Sequence, residues 1–250
     1  MRIAQIAPLT ESVPPKLYGG TECVVSYLTE ALVELGHEVT LFATGDSRPR
    51  RISNWSGCAR CGSIRRRDRI APHMLLMELV RRRVEEFDIL HFHIYSFSLF
   101  KRQDTPFLTT MHGRLDLPEQ QPVFDTFNTA PVISISDAQR HPLPQAKWVS
   151  TVYHGLPENM YTPQPVEQKY LAFLGRISPE KRVDTAIRIT GRCGLSIKIT
   201  AKVDAADHEY FEREIAPLLA LPYVDFVGEI NDSQKAEFLS SAHAFVFPID

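Results

Sequence analysis

No run of about eighteen consecutive apolar residues occurs in this 250-residue chain, so the sequence offers no membrane-spanning helix. The opening Met1-Arg2-Ile3-Ala4-Gln5-Ile6-Ala7-Pro8 is too short and too soon interrupted for a signal peptide. It reads as a buried first strand, and the expected location is cytoplasmic. Cysteine is scarce: Cys23, Cys58, Cys61 and Cys193 are too few for a disulfide framework in a chain of this length. Cys58 and Cys61 make one C-x-x-C pair, but a zinc site needs about four ligands and no second pair follows, so the pair reads as incidental. No G-x-G-x-x-G follows the first strand directly, which argues against a dinucleotide oxidoreductase. No nucleic-acid module is recognisable either.

The net charge of −2 hides an asymmetry. Residues 47–83 hold eleven Arg against Asp68 and Glu78, a local +9 that leaves −11 for the remainder. Without interleaved aromatics such a block does not read bases, so no nucleic-acid partner is expected. Its first reading is a solvated loop and helix face. Its second is peripheral contact with an anionic membrane, where each basic residue is worth about 1 kcal/mol.

What the chain does contain is strand–helix alternation. Ile3–Ala7 reads as a strand, and Thr21–Leu35 places Val24, Val25, Leu28, Ala31, Leu32 and Leu35 at helical spacing before Gly36. Thr21 is the expected cap of that helix. Further strands are expected at 38–43, 87–93, 107–111 and 131–135, with a helix over 73–87 and a cap at Ser136-Asp137-Ala138. After Pro163-Gln164-Pro165, a hinge by composition, strands at 170–174, 195–201, 223–227 and 243–247 alternate with helices at 179–192, 207–219 and 232–241. This order predicts an α/β chain of two Rossmann-like, doubly wound parallel-sheet domains, residues 1–164 and 165–250. The second, of about 85 residues, is short for such a domain and reads as incomplete, with an uncovered sheet open to self-association.

Ligands of doubly wound sheets bind beyond the carboxyl ends of the strands, and three features fall there. Gly19-Gly20 opens the first helix and lets backbone amides approach a ligand. His112, in Thr110-Met111-His112-Gly113 at a strand end, is placed to hold or polarise a substrate hydroxyl. Arg176 and Lys181, after the apolar run Tyr170–Leu174, bring two positive charges to a helix start, a setting for a phosphate or diphosphate. His91 and His93 share one face of their strand by period-two alternation. A structural role is expected for them, because no third metal ligand of matching type is near in sequence.

Taken together, the Gly19-Gly20 loop, Phe87-Asp-Ile-Leu-His-Phe-His93, Thr110-Met-His112-Gly, Ile133-Ser-Ile-Ser-Asp-Ala-Gln-Arg140, Val152-Tyr-His-Gly155, Phe173-Leu-Gly-Arg-Ile-Ser-Pro-Glu-Lys181 and Phe226-Val-Gly-Glu229 resemble a family 4 glycosyltransferase of the GT-B fold, over essentially the whole chain. The resemblance implies a retaining enzyme that moves a hexosyl-type sugar from a nucleotide diphosphate-sugar to a sugar or lipid-linked acceptor, with no metal or other cofactor. It implies that Gly19, Gly20, Arg176 and Lys181 surround the donor diphosphate and that His112 lies at the sugar. The first domain is then the acceptor side and the second the donor side. Family members continue past Phe247-Pro-Ile-Asp250 into a Glu-x7-Glu segment that addresses the donor sugar and ribose. The chain is therefore expected to be a C-terminally truncated member with impaired catalysis. The alternative is a non-catalytic binding or interaction module derived from such an enzyme; a GT-B epimerase suits the Gly175-Arg176…Lys181 spacing less well.

Overall fold

The computed structural model describes residues 1–49, 54–58 (backbone only), 70–95, 104–158, 160–162 and 166–249. Cys61 and the Cys58 side chain, residues 50–53 and 59–69 of the Arg-rich block and the Pro163-Gln164-Pro165 hinge lie outside that description. The chain divides into two compact units, Met1–Pro157 and Glu158–Asp250. Both are parallel α/β sheets, and together they have the GT-B architecture.

In the first unit the chain order is β1 (Arg2–Ile6), α1 (Gly20–Glu34), β2 (Glu38–Thr44), β3 (Asn54–Cys58), α2 (Ile70–Arg82), β4 (Ile89–Phe92), β5 (Phe107–Thr110), α3 (Gln120–Thr126), β6 (Pro131–Ser134) and β7 (Lys147–Thr151). Among the described residues these strands form one parallel sheet in the order β3-β2-β1-β4-β5-β6-β7. Succession runs outward from β1 in one direction and from β4 in the other, so the topological switch point lies between β1 and β4. A parallel sheet is buried on both faces, which accounts for the nearly unbroken apolar runs of its central strands. On one face Ile6, Phe42, Leu90 and Phe92 pack with Leu76 and Val80 of α2. On the other, Ala7, Val13, Leu41 and Ala43 pack with Val25 of α1. Phe42 and Phe92 are completely buried, each worth about 1.5–3 kcal/mol relative to exposure.

The helix expected from Thr21 begins one residue earlier. Gly19 is its N-cap, and no side chain caps it, because the glycine already places the turn; the expected Thr21 cap is not formed. Gly36, at φ +85°, ends the chain's turn out of α1 in the left-handed region that glycine adopts without strain. Ser136 does act as expected, its Oγ accepting from the Gln139 amide at 3.2 Å. Within the described part of the Arg-rich block, Arg81 and Arg82 both bind Glu78, at 2.6 and 2.8 Å, and Arg83 binds Glu86 at 2.7 Å.

The second unit runs β8 (Tyr170–Ile177), α4 (Val183–Cys193), β9 (Ile197–Val203), a helical run over His208–Leu219 with a π turn at Phe211–Ile215, β10 (Val224–Gly228), α5 (Asp232–Ser240) and β11 (Ala242–Phe245). Its described strands form a parallel sheet ordered β10-β9-β8-β11. Phe173, Ile177, Ile187, Ile197, Ile199 and Ile215 form its core. Asn231 caps α5 with a full capping box, accepting from the Gln234 amide at 3.1 Å while Gln234 accepts from the Asn231 amide at 3.0 Å. The single helix expected over 179–192 is instead two pieces. Pro179–Lys181 forms a 3₁₀ turn, and Arg182 at φ +51° separates it from α4.

Candidate functional site

At the carboxyl edge of the first sheet, the segment after β1 returns to α1 through Gly19-Gly20. A Cβ on Gly19 would lie 2.7 Å from Pro15 Cβ and 3.2 Å from Glu22 Oε2, so no larger residue fits there without displacing the loop. Glu22 is buried and its Oε1 accepts from the Glu11 amide at 3.3 Å, tying the loop to the first turn of α1. Gly20 faces open space: a Cβ there meets nothing within 4 Å. The two glycines thus have different physical reasons to be small, one packed against its own loop and one with a free face.

At the switch point itself, Gln5 on β1 is fully buried in an otherwise apolar strand and stands opposite His91 on β4. A buried amide must be hydrogen-bonded to be tolerated. Gln5 Nε2 faces His91 Nδ1 at 3.3 Å and Gln5 Oε1 faces His93 Nε2 at 2.8 Å. His91 Nε2 continues to Thr110 Oγ1 at 2.8 Å, and His93 Nδ1 continues to His112 Nε2 at 2.8 Å. His112 Nδ1 lies 3.4 Å from Nε2 of His154, whose ring stacks with it at 5.2 Å between centroids. His93, His112 and His154 form one chain from buried to exposed, and His91 joins it as a branch through Gln5.

Burial keeps these rings neutral. It lowers His91 to about 4, and it lowers His112 to about 3 with help from neighbouring His154 and His91. His93 is held well below the usual imidazole range by burial first and by His91, His112 and His154 next, and burial lowers His154 as well. Neutral imidazoles each offer one donor and one acceptor, and that is the inventory this chain uses. Among the described residues no group of His, Cys, Asp and Glu is arranged to hold a metal ion. His112 can therefore give or accept one hydrogen bond without bringing a charge to the sheet edge.

In the second unit, the carboxyl end of β8 carries Gly175-Arg176. Arg176 is not a bare cation. Its Nη2 donates to Glu180 Oε1 at 2.7 Å, Asp207 Oδ2 lies 3.6 Å from Nε, and Asp204 Oδ2 lies 3.7 Å from Nη1. Burial opposes its charge, and the carboxylates overcome it and raise its pKa. Burial likewise pushes Glu180 up, but its own backbone amide and Arg176 outweigh that and leave it lowered. Asp207 is raised, by burial first and then by Glu180 and Asp204 against the pull of Arg176. Lys181 forms no ion pair among the described residues; its Nζ sits 5.0 Å from the centre of the Phe247 ring. Phe247 also packs against Gly175, whose added Cβ would lie 3.4 Å from it.

The helix start expected beside Lys181 offers few free amides. The 3₁₀ turn engages the Lys181 amide with Ser178 O at 3.0 Å and the Arg182 amide with Pro179 O at 3.2 Å. Of the sequence-derived residues, His112 joins His91 and His93 in one network within the first unit, and Arg176 and Lys181 share one turn in the second. Gln5, His154, Asp204 and Asp207 were not singled out from sequence as site residues. A lone amide inside the apolar run Ile3–Ala7 was the available signal for Gln5. Nothing local marks the aspartates, which reach Arg176 from the segment after β9.

The family model for Glycosyltransferase Family 4 matches residues 18–176. Among solved structures, the chain is similar to AviGT4, a glycosyltransferase involved in avilamycin A biosynthesis, at 21% identity and TM-score 0.68, over 98% of this chain and 68% of that one. It is also similar to the catalytic domain of starch synthase IV from Arabidopsis thaliana, bound to ADP and acarbose, at 13% identity and TM-score 0.65, over 100% of this chain and 78% of the other. A third likeness is to a UDP-forming α,α-trehalose-phosphate synthase from Burkholderia vietnamiensis, at 13% identity and TM-score 0.64, over 99% and 76% of the two chains. No curated protein sequence matches. No helix among the described residues is long and apolar enough to cross a membrane.

Proposed function

Since the chain belongs to glycosyltransferase family 4 and has the GT-B fold, we propose that it transfers a hexosyl group from a nucleotide diphosphate-sugar to a sugar or lipid-linked acceptor, with retention at the anomeric carbon and without a metal ion. The observation that carries this reading is the turn after β8. There a fixed guanidinium, Arg176, stands beside an ammonium, Lys181, that has no carboxylate partner among the described residues. A departing nucleoside diphosphate gains negative charge, and fixed cations at that point stabilise it without reorganisation. Nucleotide chemistry of this kind is named for two similar folds, one holding ADP and one forming UDP.

Within the first unit, Gly19 and Gly20 leave the backbone at the start of α1 open to close approach by a ligand, the free face being that of Gly20. His112 meets a sugar hydroxyl as a neutral ring and acts by positioning and polarising rather than by covalent attack. Transfer is tested by incubating the chain with a panel of nucleotide diphosphate-sugars and following nucleoside diphosphate release with and without acceptors. One charge-assisted bond to phosphate is worth about 1.5–3 kcal/mol, so Lys181→Ala is expected to weaken binding of the preferred donor by about 10- to 100-fold. Failure of every nucleotide diphosphate to bind refutes the reading. Donor binding without turnover assigns the chain as a binding module instead.

A further inference from the structure

We propose that Gln5 is a positioning residue: the orientation of its buried amide fixes the tautomer of His112, two residues along the chain of rings, so that His112 presents Nδ1 as a hydrogen-bond acceptor at the sheet edge. The inference rests on the reading above only for what meets Nδ1, a hydroxyl of the transferred sugar. The tautomer follows from the orientation of the Gln5 amide, with Oε1 toward His93 and Nε2 toward His91.

A carboxamide has unlike ends, an oxygen that only accepts and a nitrogen that only donates. Gln5 turns Oε1 to His93 at 2.8 Å and Nε2 to His91 at 3.3 Å. The shorter separation belongs to an N–H···O bond near its usual length, and the longer one to an N–H···N bond. His93 must therefore carry its proton on Nε2, and His91 must leave Nδ1 bare and donate from Nε2 to Thr110 Oγ1. A neutral ring with Nε2–H has an unprotonated Nδ1, so His93 Nδ1 accepts, and the group that faces it at 2.8 Å, His112 Nε2, donates. His112 in turn keeps Nδ1 bare. Its neighbour there is the exposed His154, 3.4 Å away, whose Nε2–H donates weakly and gives way to a better-placed hydroxyl. Which ring nitrogen carries the proton is set by the partner of the other nitrogen, and here that rule propagates from one amide through two rings.

Among the described residues that join this network, no other group sets its polarity. Hydroxyl and imidazole partners serve as donor or acceptor with equal ease, so Thr110, His91, His93, His112 and His154 are all reversible, and Gln5 is the one member with fixed ends. The amide also accounts for its own burial at the switch point. In an apolar strand it would be destabilising unless both ends were used, and both are.

Nitrogen-15 NMR of histidine-labelled protein, without any sugar present, tests this directly. The expected wild-type signature is a pyrrole-type Nε2 and a pyridine-type Nδ1 at His112, assigned by loss of the signals in His112→Gln. Gln5→Met, of similar length but without polar ends, is expected to give a mixture of both tautomers at His112. Gln5→Glu still accepts from His93, so it is expected to restore the wild-type signature at His112 while inverting His91, which now donates from Nδ1. Thr110→Val removes only the His91 branch and should leave His112 unchanged. A pyrrole-type Nδ1 at wild-type His112 overturns the proposal, as does an unaltered His112 in Gln5→Met or a Thr110→Val effect equal to that of Gln5→Met. Should Gln5→Met fail to fold, the wild-type and Gln5→Glu spectra still decide. If the tautomers are as expected and no nucleotide sugar is turned over, the transferase reading fails and this one stands.

Discussion

Replacing Arg176 by Met keeps the length of the side chain and removes a charge that faces three carboxylates, of which Asp204 also pairs with Lys202 at 3.3 Å. Two unit charges about 4 Å apart attract by about 1 kcal/mol in water and by about 4 kcal/mol in a half-buried setting. Arg176 is 37% exposed and Asp204 is 35% exposed, so the two aspartate contacts, at 3.6 and 3.7 Å, belong near the lower limit. The 2.7 Å bond to Glu180 adds a charge-assisted hydrogen bond of about 1.5–3 kcal/mol. Against these stands the desolvation of the guanidinium, which Met relieves. The expected net loss is about 2 kcal/mol at neutral pH. Its pH dependence has a definite sign. Glu180 has a lowered folded pKa, so its contribution is present above the ordinary carboxylate value of 4.5 and is lost as pH falls through the folded value. Asp207 has a raised folded pKa, so it favours folding below 3.8 and opposes it as pH rises, the more so without Arg176. Both groups make the variant's deficit greatest at neutral pH and shrink it as pH falls below about 4. Trp55 and Trp148 both belong to the first unit, so fluorescence would report the wrong half. Amide exchange of β8 and α4 at pH 7 and pH 4 reads the right one. A change below about 0.5 kcal/mol at pH 7, the level of an ordinary surface substitution, refutes the argument, and so does an equal change at both pH values.

The histidine chain predicts acid sensitivity of the first unit. His91, His93 and His112 have depressed folded pKa values, so their contribution is present above the unfolded value of 6.5 and is lost as pH falls toward about 4 and about 3. Each ring that stays neutral while its unfolded counterpart titrates removes about 1.4 kcal/mol per pH unit. Urea unfolding followed by Trp148 fluorescence should show this slope between pH 6 and pH 4.5, and His93→Gln should flatten it (endpoints of about the range spanned by the shifts). The glycine pair predicts a separation of roles. Gly19→Ala is expected to destabilise by about 1–3 kcal/mol through the Pro15 clash, measured by thermal unfolding. Gly20→Ala is expected to leave stability within about 0.5 kcal/mol while weakening donor binding, measured by calorimetry.

The parts of this fold that were legible in sequence are those whose side chains meet the core on both faces. β1, β2 and β8 are apolar because parallel strands are covered twice; the bounds of β1 and β2 moved by one residue, and β8 runs three residues further, to Ile177. β7, Lys147–Thr151, is an edge strand with mostly exposed or half-buried residues, so no apolar run announced it. β3 reads Asn-Trp-Ser-Gly-Cys, a composition that carries no strand signal at all. The site divides in the same way. His112 and Arg176 stand in recognisable local settings at strand ends. The groups that decide what those two can do arrive from other elements: Gln5 from β1, His154 from the segment after β7, Asp204 and Asp207 from the segment after β9. Sequence spacing describes neighbours along one strand or helix, and it is silent about register between strands.

The two sheet edges use opposite electrostatics, and each suits a different kind of ligand group. At the β8 turn charge is kept: Arg176 is held by acids, and Lys181 has no carboxylate partner among the described residues. At the β1–β4 switch point charge is refused, since burial holds every inner ring neutral and the amide of Gln5 orients them. A diphosphate needs fixed positive charge, whereas a hydroxyl needs a directional partner whose protonation does not drift with pH. A neutral imidazole lowered to about 3 meets that second need across the physiological range. Substituting a permanent charge into the neutral network is therefore more harmful than deleting a ring. His93→Lys places an ammonium where desolvation is nearly complete and where no carboxylate among the described residues pairs with it, while His93→Gln keeps a donor and an acceptor in place.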